Sequence, residues 1–195
     1  MPTTMTKERQ AMDGRSTPSM FEAAVPRTGW LRAMGPLWSV ALFRIAYGLL
    51  FLDMAWQKAP WIGYGWLRGF IEKEIADPTF AWYTAFLRDI VLPNFEFFAL
   101  QTFLVELALG LGLLLGLFTR LAGAAGFLWQ VQIALGAFNV PGEWYWIWPL
   151  LTLPLFCFAA TGAGRSFGLD AFVVPRLDRA AERGSRLAGL VRWLV

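Results

Sequence analysis

Residues 95–138 read FEFFALQTFLVELALGLGLLLGLFTRLAGAAGFLWQVQIALGAF, and this stretch decides the fold. Between 95 and 118 only Glu96, beside the start, and Glu106 carry charge. An apolar run of ~20 residues, at 1.5 Å rise per residue, crosses ~30 Å of hydrocarbon. Thr119-Arg120 is the whole of the polar link to a second run over 121–138. So short a link makes the two helices antiparallel neighbours.

Two further apolar runs extend the pattern, one over 37–58 and one over 144–160, the last joined to its predecessor by Asn139-Val140-Pro141-Gly142-Glu143. The third and fourth runs lie at the short end of the range for crossing a bilayer. Composition agrees: the 195 residues are 57% hydrophobic and 16% charged, against about 25% charged in soluble domains. Mean hydropathy is +0.48. The expected fold class is an all-α membrane protein, a four-helix transmembrane bundle solvated by lipid.

The remaining segments fit around that bundle. Residues 1–36 mix charges with Gly, Pro, Ser and Thr without an apolar period, which reads as a largely disordered tail. The first apolar run has no small-residue cleavage site after it, so no removable signal peptide is expected. Residues 37–172 form the bundle domain, with 59–94 as an outer cap between helices one and two. In that cap Trp66, Phe70, Ile71 and Ile75 alternate with Arg68, Glu72, Lys73 and Glu74, the pattern of a short amphipathic helix ending before Pro78. A second amphipathic helix is expected over 79–91. Residues 173–195 place Leu177, Ala181, Leu187, Leu190, Val191 and Leu194 among arginines, as in a basic amphipathic helix on an anionic leaflet.

Charge sets the orientation. Lys7, Arg9, Arg15, Arg27 and Arg32 precede the bundle, Arg120 lies in the second link, and Arg165, Arg176, Arg179, Arg183, Arg186 and Arg192 follow it. All of these fall on one side; the other side holds Lys58, Arg68, Lys73 and Arg88. The positive-inside rule therefore places both termini in the cytoplasm. Seven of the tryptophans, Trp56, Trp61, Trp66, Trp82, Trp144, Trp146 and Trp148, then gather near the outer face. They read either as an interfacial aromatic belt or as the lining of a pocket for a planar ligand.

The chain has no histidine and one cysteine, Cys157, which reads as a small buried apolar residue. No haem, iron–sulfur cluster or zinc site is expected from such a residue set, nor an internal disulfide. The net charge of +3 gives no basis for a nucleic-acid partner. A redox role would need a bound diffusible molecule or a partner subunit.

Ionisable groups inside a membrane mark function or structural pairing. On the first helix Arg44, Gly48, Phe51, Ala55 and Lys58 lie within about 40° of one line. Asp53 lies on the opposite face. Arg44 sits ~10 Å and Glu106 ~18 Å from the cytoplasmic helix ends, so the two are expected to approach each other, as a structural ion pair or as contacts to a polar head group. Gln130, on the third helix, could bond Glu106 or a ligand carbonyl, or serve as packing glue. Gly112 and Gly116 are spaced for helix packing. Pro149 and Pro154 should kink the fourth helix and free carbonyls.

Three marks together resemble the DoxX/DoxD family over roughly residues 37–172. They are Arg44-x3-Gly48-x2-Phe51-x6-Lys58; Glu106 followed by Gly116-Leu-Phe-Thr119-Arg120; and Gly162-Ala-Gly164-Arg165-Ser-Phe-Gly168-Leu-Asp170. The last is the most specific. The family includes the DoxD-type subunit of thiosulfate:quinone oxidoreductase. The resemblance implies a bacterial or archaeal plasma-membrane subunit tied to quinone-linked redox chemistry, with a quinone as the compatible cofactor and other subunits as partners. Arg44, Glu106 and Gln130 are the candidate head-group contacts. A non-catalytic scaffold that anchors a larger membrane complex is the competing expectation. Locally, Gly162 and Gly164 read as a helix stop after which Arg165 meets a lipid phosphate or pairs with Asp170.

Overall fold

The computed structural model describes residues 37–195, so the expected tail over 1–36 lies outside the described residues. The described residues are all-helical, with no strand among them. In chain order α1 spans Trp38–Gln57, α2 Leu67–Ala76, α3 Ala81–Phe86, α4 Phe95–Leu115, α5 Thr119–Ala137, α6 Ile147–Thr161, α7 Asp170–Glu182 and α8 Arg186–Val191.

Two predicted boundaries are corrected. The helix expected over 79–91 is not separate from the one expected at 95: α3 passes through a π-helical turn, Leu87–Val91, and a 3₁₀ turn, Leu92–Asn94, into α4. Ala81–Leu115 is thus one 35-residue helical stretch. Pro93 accounts for the irregular turns, because it has no amide for the carbonyl four residues back and the ladder rewinds locally. The Asn94 side-chain amide donates to the Ile90 carbonyl at 2.9 Å. At the other end of the chain the single helix expected over 173–195 is broken at Gly184, whose φ of 89° is left-handed. α8 then folds back on α7, tied by Arg192 to Asp178 at 2.8 Å.

Trp38–Gln57 and Ala81–Leu115 are long and apolar enough to cross a membrane, and Ile147–Thr161 is apolar but shorter. The outside of these helices is apolar too. Leu42, Leu49, Leu104, Leu111, Leu128, Leu153 and Phe156 are all exposed, a far larger apolar surface than a water-soluble monomer tolerates. Cys157 belongs to that outer surface and is not buried as expected: it projects from α6 away from the core. Asp53 is likewise exposed and accepts from the Gln57 side chain at 2.6 Å.

Inside, α1 lies along α4 and α5 along α6. Tyr47 and Phe51 from α1, Leu109 and Leu113 from α4, Ala122 from α5, and Leu155 and Phe158 from α6 form one core. Small residues set how close the backbones come. A Cβ on Gly48 would lie 2.5 Å from the Leu114 nitrogen, and one on Gly123 would lie 2.6 Å from the Ala159 nitrogen. Within α6, Pro154 leaves the Leu150 carbonyl without its helical donor, and the Tyr47 hydroxyl of α1 donates to that oxygen instead. The proline thereby ties two helices together.

Candidate functional site

The polar side chains of the interior gather in two places, at opposite ends of the bundle. Arg44 and Lys58 are 14 positions apart on α1, so ~21 Å of helix separates them at 1.5 Å per residue.

At the first end, a loop returns from α6 to close the α4–α5 turn. Gly116 stops α4 in the left-handed region at φ 63°. The Leu169 and Asp170 amides donate to the Leu115 and Gly116 carbonyls at 3.0 and 2.9 Å, satisfying acceptors that a helix C-terminus leaves open. The Asp170 carboxylate in turn accepts from the Phe118 and Thr119 amides at 2.8 and 3.0 Å. The start of α5 is therefore capped by a residue about fifty positions later. Arg44, fully buried, donates to the Phe167 carbonyl at 2.9 Å. Its guanidinium lies against Gly116 and Gly168, where a Cβ would come within 1.6 and 2.7 Å of Nη1.

This arrangement corrects three expectations. Arg44 does not pair with Glu106; its side chain turns toward the return loop. Asp170 does not pair with Arg165, which is exposed, because its carboxylate is taken by the α5 amides. Of the two loop glycines Gly162 alone has a positive φ, 58°. Gly164 is needed for space, since a Cβ there would lie 2.1 Å from Thr119 Oγ1 and 2.2 Å from Asp170 Oδ2. Arg120 packs its guanidinium near Gly162. These motif residues form a clasp that holds the fold.

At the other end, Glu106 is buried and pairs with Lys58, Nζ to Oε1 at 2.8 Å. The geometric reason is register: Lys58 ends α1 at the level of the first half of α4, whereas Arg44 lies near that helix's far end, beside Gly116. Lys58 also sits over the Trp66 ring, 5.1 Å from its centroid. Both Lys58 and Glu106 line a partly open cavity of about 900 Å³ bordered by α1, the α2–α3 cap, α4, α5 and α6. That volume is in the range of small-molecule sites.

The cavity wall is mostly apolar, with Phe86, Leu87, Val91, Phe98, Ile133 and Leu151 among its residues. Its polar atoms are unusual for lacking partners. Glu106 Oε2, both terminal atoms of Gln130, and the indole nitrogens of Trp129 and Trp148 are buried without a hydrogen bond in the protein. Buried polar groups are normally paired, and each left unmade costs about 1–3 kcal/mol. Several on the residues of one cavity leave a polar deficit there: indole N–H and amide N–H donors, with a carboxylate and an amide oxygen as acceptors.

Of the three candidate head-group residues, the structure thus brings Glu106 and Gln130 together on the cavity and sends Arg44 elsewhere. The aromatic expectation divides. Trp56, Trp61, Trp82, Trp144 and Trp146 are exposed, as in a belt, while Trp148 is buried in the cavity wall and Trp66 lies at its edge. Trp129 and Glu74 are site residues that sequence reasoning missed. Glu74 was assigned to the polar face of α2, yet it is buried. Its spacing of three from Ile71 was the available signal, because i and i+3 share a helix face.

An all-helical fold with an apolar exterior and a largely apolar cavity defines the class: a helical membrane protein. The DoxX family model matches residues 39–139, just over half of the chain, and the chain belongs to the DoxX family. No curated protein and no solved structure matches it.

Proposed function

We propose that this DoxX-family protein crosses the membrane with α1, α4, α5 and α6, both termini cytoplasmic, and that its cavity receives the head group of a quinone in a bacterial or archaeal plasma membrane. On this reading it acts as the quinone-binding subunit of a larger, DoxD-like redox assembly. The single observation that carries it is the set of unpartnered atoms of Gln130, Trp129, Trp148 and Glu106 on one largely apolar cavity. A quinone carbonyl accepts from an indole or amide N–H, and the aromatic wall covers the ring. A bound quinone supplies a two-electron, two-proton acceptor. The chain itself supplies orientation, a dry wall and the fixed Lys58–Glu106 dipole. With no histidine and a single cysteine, electrons reach that site from a partner.

The basic hairpin of α7 and α8 fits the cytoplasmic membrane surface in this topology. Leu187, Leu190 and Trp193 are each about 70% exposed or more along one stripe, with Arg186 and Arg192 beside them. Apolar side chains flanked by arginines suit an anionic leaflet.

The test is purification in mild detergent, followed by extraction of bound quinone and binding of a fully substituted short-chain benzoquinone by equilibrium dialysis. Wild-type protein should bind, and Gln130→Leu should weaken binding about tenfold, the loss of one or two good hydrogen bonds. Failure of the folded wild-type protein to bind overturns the reading. Stoichiometric partner chains around an empty cavity would instead assign the protein a scaffold role.

A further inference from the structure

Glu74 is the one buried carboxylate of the cavity, among the described residues, that the Lys58–Glu106 pair and the unpartnered set leave unexplained. It projects from α2 into the cavity, is 5% exposed, and makes no hydrogen bond or ion pair among the described residues. A glycine on α5 makes room for it: a Cβ on Gly136 would lie 2.8 Å from Glu74 Oε1. A buried carboxylate without a counter-ion normally takes up a proton. Burial pushes the Glu74 carboxyl up to about 8, so at neutral pH it is a donor.

The position of this donor is set by the same helix that carries Gln130. Gln130 and Gly136 are six residues apart on α5, a rise of ~9 Å. Glu74 and Gln130 both line this cavity, so one bound head group can meet both. Resting on the quinone reading of the cavity, we infer that Glu74 is its second head-group contact, donating a hydrogen bond to a quinone oxygen.

The surroundings leave Glu74 as the group that titrates there. On its own helix Arg68 and Glu72 pair with each other at 3.4 Å, and Lys73 is exposed. From α3 the Tyr83 hydroxyl donates to Gln132 Oε1 at 2.8 Å. On the following π turn Arg88 and Asp89 form an exposed pair. α5 contributes Gln132 and Gly136, neither charged. Across the cavity Lys58 and Glu106 are paired, and Glu143, on the α5–α6 loop, is exposed.

A neutral, fully substituted short-chain benzoquinone does not titrate, so the pH dependence of its binding reports the protein. The sign follows from the raised value: the donor is present below about pH 8 and is lost above it. Equilibrium dialysis with the detergent-solubilised full chain should show affinity about tenfold weaker at about pH 9 than at about pH 7, the ratio of protonated fractions around a value near 8. Glu74→Gln, whose amide donates at every pH, should bind with a flat profile. Gly136→Ala keeps the carboxyl but displaces it, and should weaken binding at neutral pH. A wild-type profile that is flat, or a Glu74→Gln profile that keeps the wild-type slope, overturns the role of Glu74 while quinone binding itself stands. Absence of wild-type binding at any pH overturns both.

Discussion

Replacing Lys58 with methionine strips Glu106 of its cation and keeps the stem that fills the space beneath Trp66. The pair is 2.8 Å apart with side chains 3% and 0% exposed. At an effective dielectric constant of about 20, two unit charges at that distance attract by about 6 kcal/mol. Part of this is offset by the desolvation of both ions, so breaking a buried pair from one side costs about 3–5 kcal/mol. The orphaned carboxylate also has Oε2 without a partner already, which places Lys58→Met toward the upper part of that range. Glu106→Gln leaves the ammonium alone over the Trp66 ring at 5.1 Å and should cost somewhat less, since the ring face offers a cation about 0.5–2 kcal/mol. The double variant has no buried charge. It should recover most of the loss, giving a coupling of about 3 kcal/mol in a double-mutant cycle. The assay is unfolding by sodium dodecyl sulfate titration in mixed micelles, followed by helical circular dichroism. Single-variant costs that simply add in the double variant would refute the claim that these two charges hold each other in the cavity wall.

Two further outcomes test the rest of the interior. Asp170→Ala should destabilise the protein by about 3 kcal/mol, because two charge-assisted bonds to the α5 amides are lost; Asp170→Asn, keeping one acceptor oxygen, should cost about half as much in the same titration. Gly48→Ala should cost about 2–3 kcal/mol, since the added Cβ meets Leu114 backbone at 2.5 Å and backbone cannot step aside. Gly69→Ala in α2, with nothing within 4 Å of its Cβ, should leave stability unchanged or raise it by about 0.5–1 kcal/mol.

Much of the architecture was legible from local pattern. The apolar runs located α1, α4, α5 and α6 to within three residues, because an apolar stretch of that length has few alternatives. The shared face of Arg44, Gly48, Phe51 and Ala55 followed from helical period alone, and all four are buried. Local pattern also carried Lys58 onto that face, and marked Glu106 and Gln130 as interior polar residues.

What the sequence could not decide is which polar group meets which. Arg44 and Lys58 are both cations on one face, and only the axial register of α1 against α4, fixed where Gly48 meets Leu114 and Gly110 meets Leu52, assigns Lys58 to Glu106. Asp170 and Thr119 are 51 residues apart, so no local rule finds that cap. Glu74 looked solvated because the outer cap's fold-back over α5 is a long-range event, and that fold-back buries an ordinary surface carboxylate in the cavity wall. Sequence alone determined a membrane-embedded helical bundle with polar residues inside; tertiary packing separated those residues into a clasp at one end and a cavity at the other.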